Sequence, residues 1–374
     1  MQGQGMRLRA FAGVAATLLA AVGVAACGSD DNGGGSGDKG GSGKGAPIAF
    51  FLPESKTSRY ERQDRPNFER KVKELCSDCD VIYANANQDP AKQQQQAEAA
   101  ITKGAKVLVL DAVDVKSARA IVQRAKQSKI PVVAYGRLIP DAPLDYFVSI
   151  DPFKVGQQQA EVQMAAIAEK GKRNPKVVMI NGAPTDSNAK PYKDGARQVL
   201  EQKGAKVVKS FDTPDWSPDK AQQEMEQSVT ALGKGGFDAV YVANDGMAGG
   251  AIAALKSVNI VPTSRFVTGQ DAELAGVQRI LAGEQLMTVY QPIIQIAETA
   301  AELAVPLAQD KEPPGDLAPD TVDNGAKEVP SALLETIAIQ KDNIQDPLVK
   351  DGFLDAAEIC TKPYAKACKE AGIQ

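Results

Sequence analysis

From residue 47 onward the chain repeats one unit: a short continuous apolar run, a polar turn, then a longer amphipathic stretch. Runs of this kind lie at 47–53, 80–86, 106–112, 131–136, 145–151, 176–182, 206–212, 238–245, 265–271 and 286–291. Helical patterns such as 89–104 and 246–259 fill most of the gaps. Strands that are apolar on both faces and alternate with helices predict parallel sheets covered on both sides. Ten strands are too many for one ordinary open sheet, and 374 residues are long for a single core. The expected fold class is therefore α/β, with two Rossmann-like doubly wound parallel-sheet lobes and a ligand at the carboxyl ends of the strands.

Those ends share a chemistry. Strand runs finish at Asp111, Asp151, Asn181, Asp212, Asn244, Asp245 and Asp271, or in Gly136-Arg137. Helix N-capping accounts for any one of these acids or amides taken singly. Together along one edge they form a polar rim. A neutral, hydroxyl-rich ligand needs convergent donors and acceptors, charge-assisted where possible, and an aromatic face for its apolar side. Arg59 and Arg137 supply planar donors, Asp186 and Asp271 acceptors, Asn188 and Asn244 both, and Tyr60 and Trp216 the faces.

Other ligand classes fit less well. The chain has no histidine, which removes the commonest general base, the commonest zinc ligand and the Ser/His/Asp triad. No GxGxxG or P-loop follows a strand, and no EF-hand spacing occurs, so no cofactor and no metal are expected. A net charge of −4 offers no basic footprint for nucleic acid. The enzymatic alternative is a glycosidase using Asp245 and Asp271 as paired carboxylates, but nothing in their spacing favours it over a binding cleft.

The N-terminus reads as an export signal. Arg7 and Arg9 precede the apolar run "AFAGVAATLLAAVGVAA", and "VAAC" ends at Cys27. A plain membrane anchor is the competing reading, since the run sits at the lower edge of a membrane span. "VAAC" resembles a lipobox, which makes Cys27 the lipidated first residue of the mature chain. Residues 28–45 are Gly/Ser-rich without an apolar face and predict a flexible tether. The mature protein is thus expected outside the cytoplasm, lipid-anchored to the outer face of the cell membrane. In that compartment the other cysteines, Cys76, Cys79, Cys360 and Cys368, point to disulfides. Three connectivities are open, and the two local pairs are the least demanding to close.

The segments "NGAPTDSNAK" (181–190), "VANDGMAGGAI" (242–252), "VTGQDAELAGVQRILAGEQLMTVYQPI" (267–293) and "DNGAKEVPSALL" (323–334) resemble the D-xylose-binding proteins of bacterial ABC importers, within the type I periplasmic sugar-binding proteins. The likeness runs from about residue 47 to 354. It implies two lobes joined by three hinge segments that close over one monosaccharide. Carried over by position, the sugar contacts are Lys56, Arg59, Tyr60, Arg137, Asp186, Asn188, Trp216, Asn244, Asp271 and Gln291. Two positions depart from the pattern: Gly136 stands where an Asp is expected before the Arg, and Gln291 where a Lys is expected.

The resulting expectation is a monomeric, non-enzymatic lipoprotein that delivers a pentose to an ABC permease. A sugar sensor for a chemoreceptor or sensor kinase is the alternative. The organisation expected is a signal peptide at 1–27 and a tether at 28–45. An N-terminal lobe follows from 46–150 plus 271–291, a C-terminal lobe from 151–270 plus 292–349, and a tail from 350–374. Hinges are expected near Ser149–Pro152, Gly269–Asp271 and Tyr290–Pro292.

Overall fold

In the computed structural model, which describes residues 45–374, the apolar runs assemble into separate sheets. The expected signal run, Cys27 and the tether up to residue 44 lie outside the described residues. The strands are β1 (Ile48–Leu52), β2 (Val81–Asn85), β3 (Val107–Leu110), β4 (Val132–Tyr135), β5 (Tyr146–Ile150), β6 (Lys176–Asn181), β7 (Lys206–Asp212), β8 (Ala239–Val242), β9 (Thr288–Tyr290), β10 (Asp320–Asp323), β11 (Glu328–Leu334) and β12 (Ile337–Ile339). The principal helices are α1 (Arg65–Leu75), α2 (Pro90–Thr102), α3 (Arg119–Gln127), α4 (Pro152–Glu169), α5 (Ala189–Gln202), α6 (Pro218–Leu232), α7 (Asp245–Ser257), α8 (Leu274–Leu281) and α9 (Ile293–Ala308).

The first sheet has the order β10-β11-β5-β4-β3-β1-β2, parallel except for the edge pair β10–β11. Both faces of β1 are buried, which is why its sequence, IAFFL, is apolar throughout. Ala49 and Phe51 point to the cluster built with α2 and α3, whereas Ile48, Phe50 and Leu52 point to the opposite face. There Phe50 stacks on Phe68 of α1 at 4.2 Å and meets Tyr135 edge-on at 5.3 Å.

The second sheet has a parallel core β7-β6-β8 and a separate antiparallel pair β9–β12. The run 265–271, expected as a strand, forms no regular strand. It runs between the two pieces and bonds to both, Thr268 N–H to Val240 O at 3.3 Å and Leu286 N–H to Val267 O at 2.8 Å. The turns at its ends, with Phe266, Asp271 and Ala272 at positive φ, interrupt the ladder geometry. The other nine expected strands form, and β10, β11 and β12 were not anticipated.

The chain passes between the sheets from β5 to α4, from β9 to α9, and from β11 to β12. This corrects the lobe boundaries. Residues 271–291, expected with the first lobe, belong to the second, because Asp271 N–H bonds Val289 O and β9 pairs with β12. Residues 292–334, expected with the second lobe, belong to the first, because α9 buries its apolar stripe against α1 and β11 pairs with β5. Gly269–Asp271 is accordingly no crossover. The third passage is at Glu335–Thr336, where Thr336 donates to Gln158 Oε1 at 2.8 Å and accepts from its Nε2 at 3.1 Å through its carbonyl.

Beyond residue 344 the tail lies across both lobes. Gln63 Nε2 donates to Phe353 O at 2.6 Å and Arg62 pairs with Glu358 at 2.7 Å. Gln278 of α8 donates to Glu358 O at 3.0 Å. Cysteine pairing is local, Cys76 with Cys79 and Cys360 with Cys368. Closing the eight-residue span of the second bridge restricts the unfolded chain by roughly 2–3 kcal/mol. Replacing Cys360 and Cys368 by Ser should lower unfolding stability by about that amount. Thiol titration of the unreduced protein should find none of the four free; four reactive thiols would overturn the pairing.

Candidate functional site

The carboxyl ends of both sheets face one another across a cleft that encloses about 440 Å³, counting its mouth. Its lining is largely polar and charged, drawn from loops that follow β1, β3, β4, β6, β7, β8 and β9, from Tyr192 of α5, and from Gln270 and Asp271 in the run before α8.

On the first-lobe side, Arg59 leads into the helical turn Tyr60–Asp64 ahead of α1. Asp64, fully buried, grips it bidentately, with Nε–Oδ2 at 2.9 Å and Nη2–Oδ1 at 2.7 Å. Tyr135 donates its hydroxyl to the same carboxylate. Burial opposes the charge on Arg59, but Asp64 outweighs it and holds the guanidinium protonated. The remaining Nη1 donates to Gln291 Oε1 at 3.1 Å, and Gln291 Nε2 donates to Asp271 Oδ1 at 3.0 Å. A hydrogen-bonded chain thus runs Asp64–Arg59–Gln291–Asp271 from one lobe, through a crossover, into the other.

Arg137, 4% exposed, follows β4. Its Nε pairs with Asp186 Oδ2 of the second lobe at 2.8 Å and with Asp111 Oδ1 at 3.3 Å, and Nη1 donates to Ala112 O at 2.6 Å. The quoted loop after β6 therefore clasps the first lobe. Asp186 Oδ1 accepts the Asn188 N–H at 2.8 Å, and Asn188 Nδ2 donates across the cleft to Gly136 O at 2.9 Å. Trp216 Nε1 donates to Asp186 Oδ2 at 3.2 Å. The indole reaches that position over Gly182, where a Cβ would stand 2.1 Å from the ring, so only glycine fits there. Asn244 caps α7, accepting the Met247 N–H at 3.0 Å, and also lines the cleft. Asp271 sits at φ +87°, a costly backbone for a residue with a side chain, and such outliers concentrate at functional sites.

Of the residues expected from sequence, Arg59, Tyr60, Arg137, Asp186, Asn188, Trp216, Asn244, Asp271 and Gln291 line this cleft. Lys56 does not. Its side chain is exposed, and only its backbone is fixed, with N–H donating to Glu54 Oε2 at 2.5 Å. The neighbouring Thr57 lines the cleft instead. Asp111, Tyr192 and Gln270 also line it and were not singled out as ligands. Asp111 carried a signal, as an acid at a strand end. Tyr192 carried none, because it reaches the site from inside α5, standing 6.3 Å edge-on from Trp216.

The glycosidase alternative loses a partner here. The Asp245 carboxylate is fully buried and accepts from Glu273 N–H at 2.9 Å, Gln285 Nε2 at 2.6 Å and Thr288 Oγ1 at 2.9 Å. It organises the second lobe and does not line the cleft. Among the described residues no group of three or more acidic, histidine or cysteine side chains is placed to hold a metal ion.

The family described as the periplasmic binding protein domain matches residues 48–312. The D-xylose-binding periplasmic protein of Escherichia coli is 38% identical over 316 residues, covering 83% of this chain and 92% of that protein. The multiple sugar-binding periplasmic receptor ChvE of Rhizobium radiobacter is 32% identical, covering 83% and 92%. Among solved structures, an ABC transporter solute-binding protein from Clostridium phytofermentans with bound β-D-glucose superposes with a TM-score of 0.74 at 26% identity, covering 84% of this chain and 99% of that one.

Glu273 joins the lobes from outside the cleft, accepting the Ser58 N–H at 2.9 Å. Burial, reinforced by Asp245 and Asp271, pushes its carboxyl up to about 8. Burial likewise raises Asp111 to about 8 and Asp245 to about 7. A carboxyl raised by folding keeps its proton where the unfolded chain has lost it. The stability this contributes is complete below the unfolded value and is lost as pH rises through the folded one. The urea midpoint should therefore fall between about pH 5 and 9, and Glu273→Gln should make that fall shallower. An unchanged slope in the variant would count against it.

Proposed function

The chain belongs to the periplasmic binding protein family, and on that premise we propose that it captures a monosaccharide, D-xylose first, between its lobes and hands it to an ABC permease. The observation that carries this is the cleft's pair of cross-lobe arginine networks, which present charge-assisted donors and acceptors beside the Trp216 and Tyr60 rings. Such a lining suits a neutral polyhydroxylated ring. Its likeness to D-xylose-binding proteins selects the sugar. The site holds ligand by hydrogen bonds and performs no covalent chemistry.

Closure follows from the three crossovers. A sugar that bonds Arg59, Arg137 and Tyr60 from one side and Asp186, Asn188, Asn244 and Asp271 from the other gains all its contacts only when the lobes meet. It therefore stabilises the closed form by its differential affinity for that form. The permease reads the closed form. The chain acts as a monomer.

At the N-terminus, Cys27 is the lipidated first residue and residues 28–45 are the tether that holds the binding unit at the outer face of the cell membrane. Mass spectrometry of the mature N-terminal peptide should find diacylglyceryl-modified Cys27; a mature chain beginning elsewhere would remove the anchor.

Isothermal titration calorimetry against D-xylose, D-ribose, D-glucose, L-arabinose and D-galactose tests the binding function. D-xylose should bind and be recovered unconverted. Arg137→Ala removes charge-assisted bonds worth about 1.5–3 kcal/mol each, so affinity should fall at least about tenfold to a hundredfold. Retained affinity in that variant would sink the site, and conversion of a glycoside would restore the enzymatic reading.

A further inference from the structure

Asp111 follows β3 at the base of the cleft, 1% exposed and held through its backbone, with N–H donating to Phe51 O at 3.0 Å and O accepting from Gln93 Nε2 at 2.8 Å. Its side chain is less well served. Oδ1 is enclosed and receives no hydrogen bond. Arg137 Nε stands 3.3 Å away but is directed to Asp186 at 2.8 Å. The other two acids of the lining are occupied. Asp186 accepts from Asn188 N–H, Arg137 and Trp216, and Asp271 Oδ1 accepts from Gln291 and Gln270. A buried acceptor without a donor is rare in a native fold and asks for a reason.

The space around it is also specific. Gly136, at the end of the adjacent β4, has φ +68°. A Cβ built there would stand 2.8 Å from Asp111 Oδ2 and 3.4 Å from Cγ. The corner between β3 and β4 thus has room for one carboxyl, and any side chain at 136 would displace the one residue 111 supplies. We infer that Asp111 is a specificity-determining residue whose carboxyl accepts hydroxyl hydrogens of the bound sugar, and that Gly136 is glycine to leave it that place. This rests on the sugar-binding reading above and deepens it. Burial pushes the Asp111 carboxyl up to about 8 against the pull of Arg137, with Asp186 adding to the rise.

The test is calorimetry of the purified protein against the five sugars and against mono-deoxy analogues of the one bound best, for wild type, Asp111→Asn and Gly136→Ala. In wild type, one deoxy analogue should lose about tenfold or more in affinity at this corner. In Asp111→Asn the parent sugar should weaken by about tenfold, and the same analogue's penalty should shrink below about twofold, which is the coupling of a residue with its own hydroxyl. Gly136→Ala, which keeps the carboxyl but pushes it aside, should shrink the same penalty, and it carries the test if thermal unfolding shows Asp111→Asn to be unfolded. Unchanged penalties in every folded variant would overturn the inference while leaving sugar binding intact. A wild type that binds none of the sugars would overturn both.

Discussion

Two guanidinium groups, Arg59 and Arg137, are almost wholly out of water between two sheets, and the rest of the cleft is arranged around keeping them charged. Removing such an ion from solvent costs several kcal/mol, recovered only when carboxylates and carbonyls surround it in good geometry. Asp64 does this for Arg59 from within one lobe. For Arg137 the best partner is Asp186, which comes from the other lobe. The shortest ion pair of one buried charge therefore crosses between the two halves, and this couples electrostatics to shape.

The links between lobes are hydrogen bonds and ion pairs, among them Arg137 to Asp186, Asn188 to Gly136, Arg59 through Gln291 to Asp271, Ser58 to Glu273, and Val115 to Thr185. Water can satisfy the same groups when the lobes part, so each link contributes only about 0.5–3 kcal/mol net. In the proposed mechanism, a closed form held by links of this size is one that a small ligand can favour over an open form by its differential affinity. The tail beyond residue 344, which bonds to Gln63 and Arg62 of one lobe and Gln278 of the other, spans the same division from outside.

Much of this was legible in the residues. Arg59, Arg137 and Asp186 sit at strand ends or in the loops beyond them, and a parallel sheet collects those ends on one edge whatever its exact strand order. Lys56 was misjudged because its place in "KTSRY" says nothing about which way a loop side chain turns, and it turns to solvent while Thr57 turns inward. The lobe assignment of 271–291 and 292–334 was inverted for a related reason. The three residues of β9 and the apolar stripe of α9 would suit either sheet, and only pairing with β12 and packing on α1 assign them.

What the sequence determined by itself is the class of architecture and the chemistry available to the cleft. Apolar runs alternating with amphipathic ones permit little besides covered parallel sheets, and acids, amides and arginines at the ends of those runs have few other places to be. Tertiary structure decided the partnerships: that Asp186 reaches Arg137, that Gly182 clears a path for Trp216, and that Gly136 leaves its corner to Asp111. The physical reason is range. Periodicity and capping act between neighbours in the chain and can be read along it. Salt bridges, steric room and unmet hydrogen bonds depend on residues far apart in sequence, and they acquire values only when the sheets are packed.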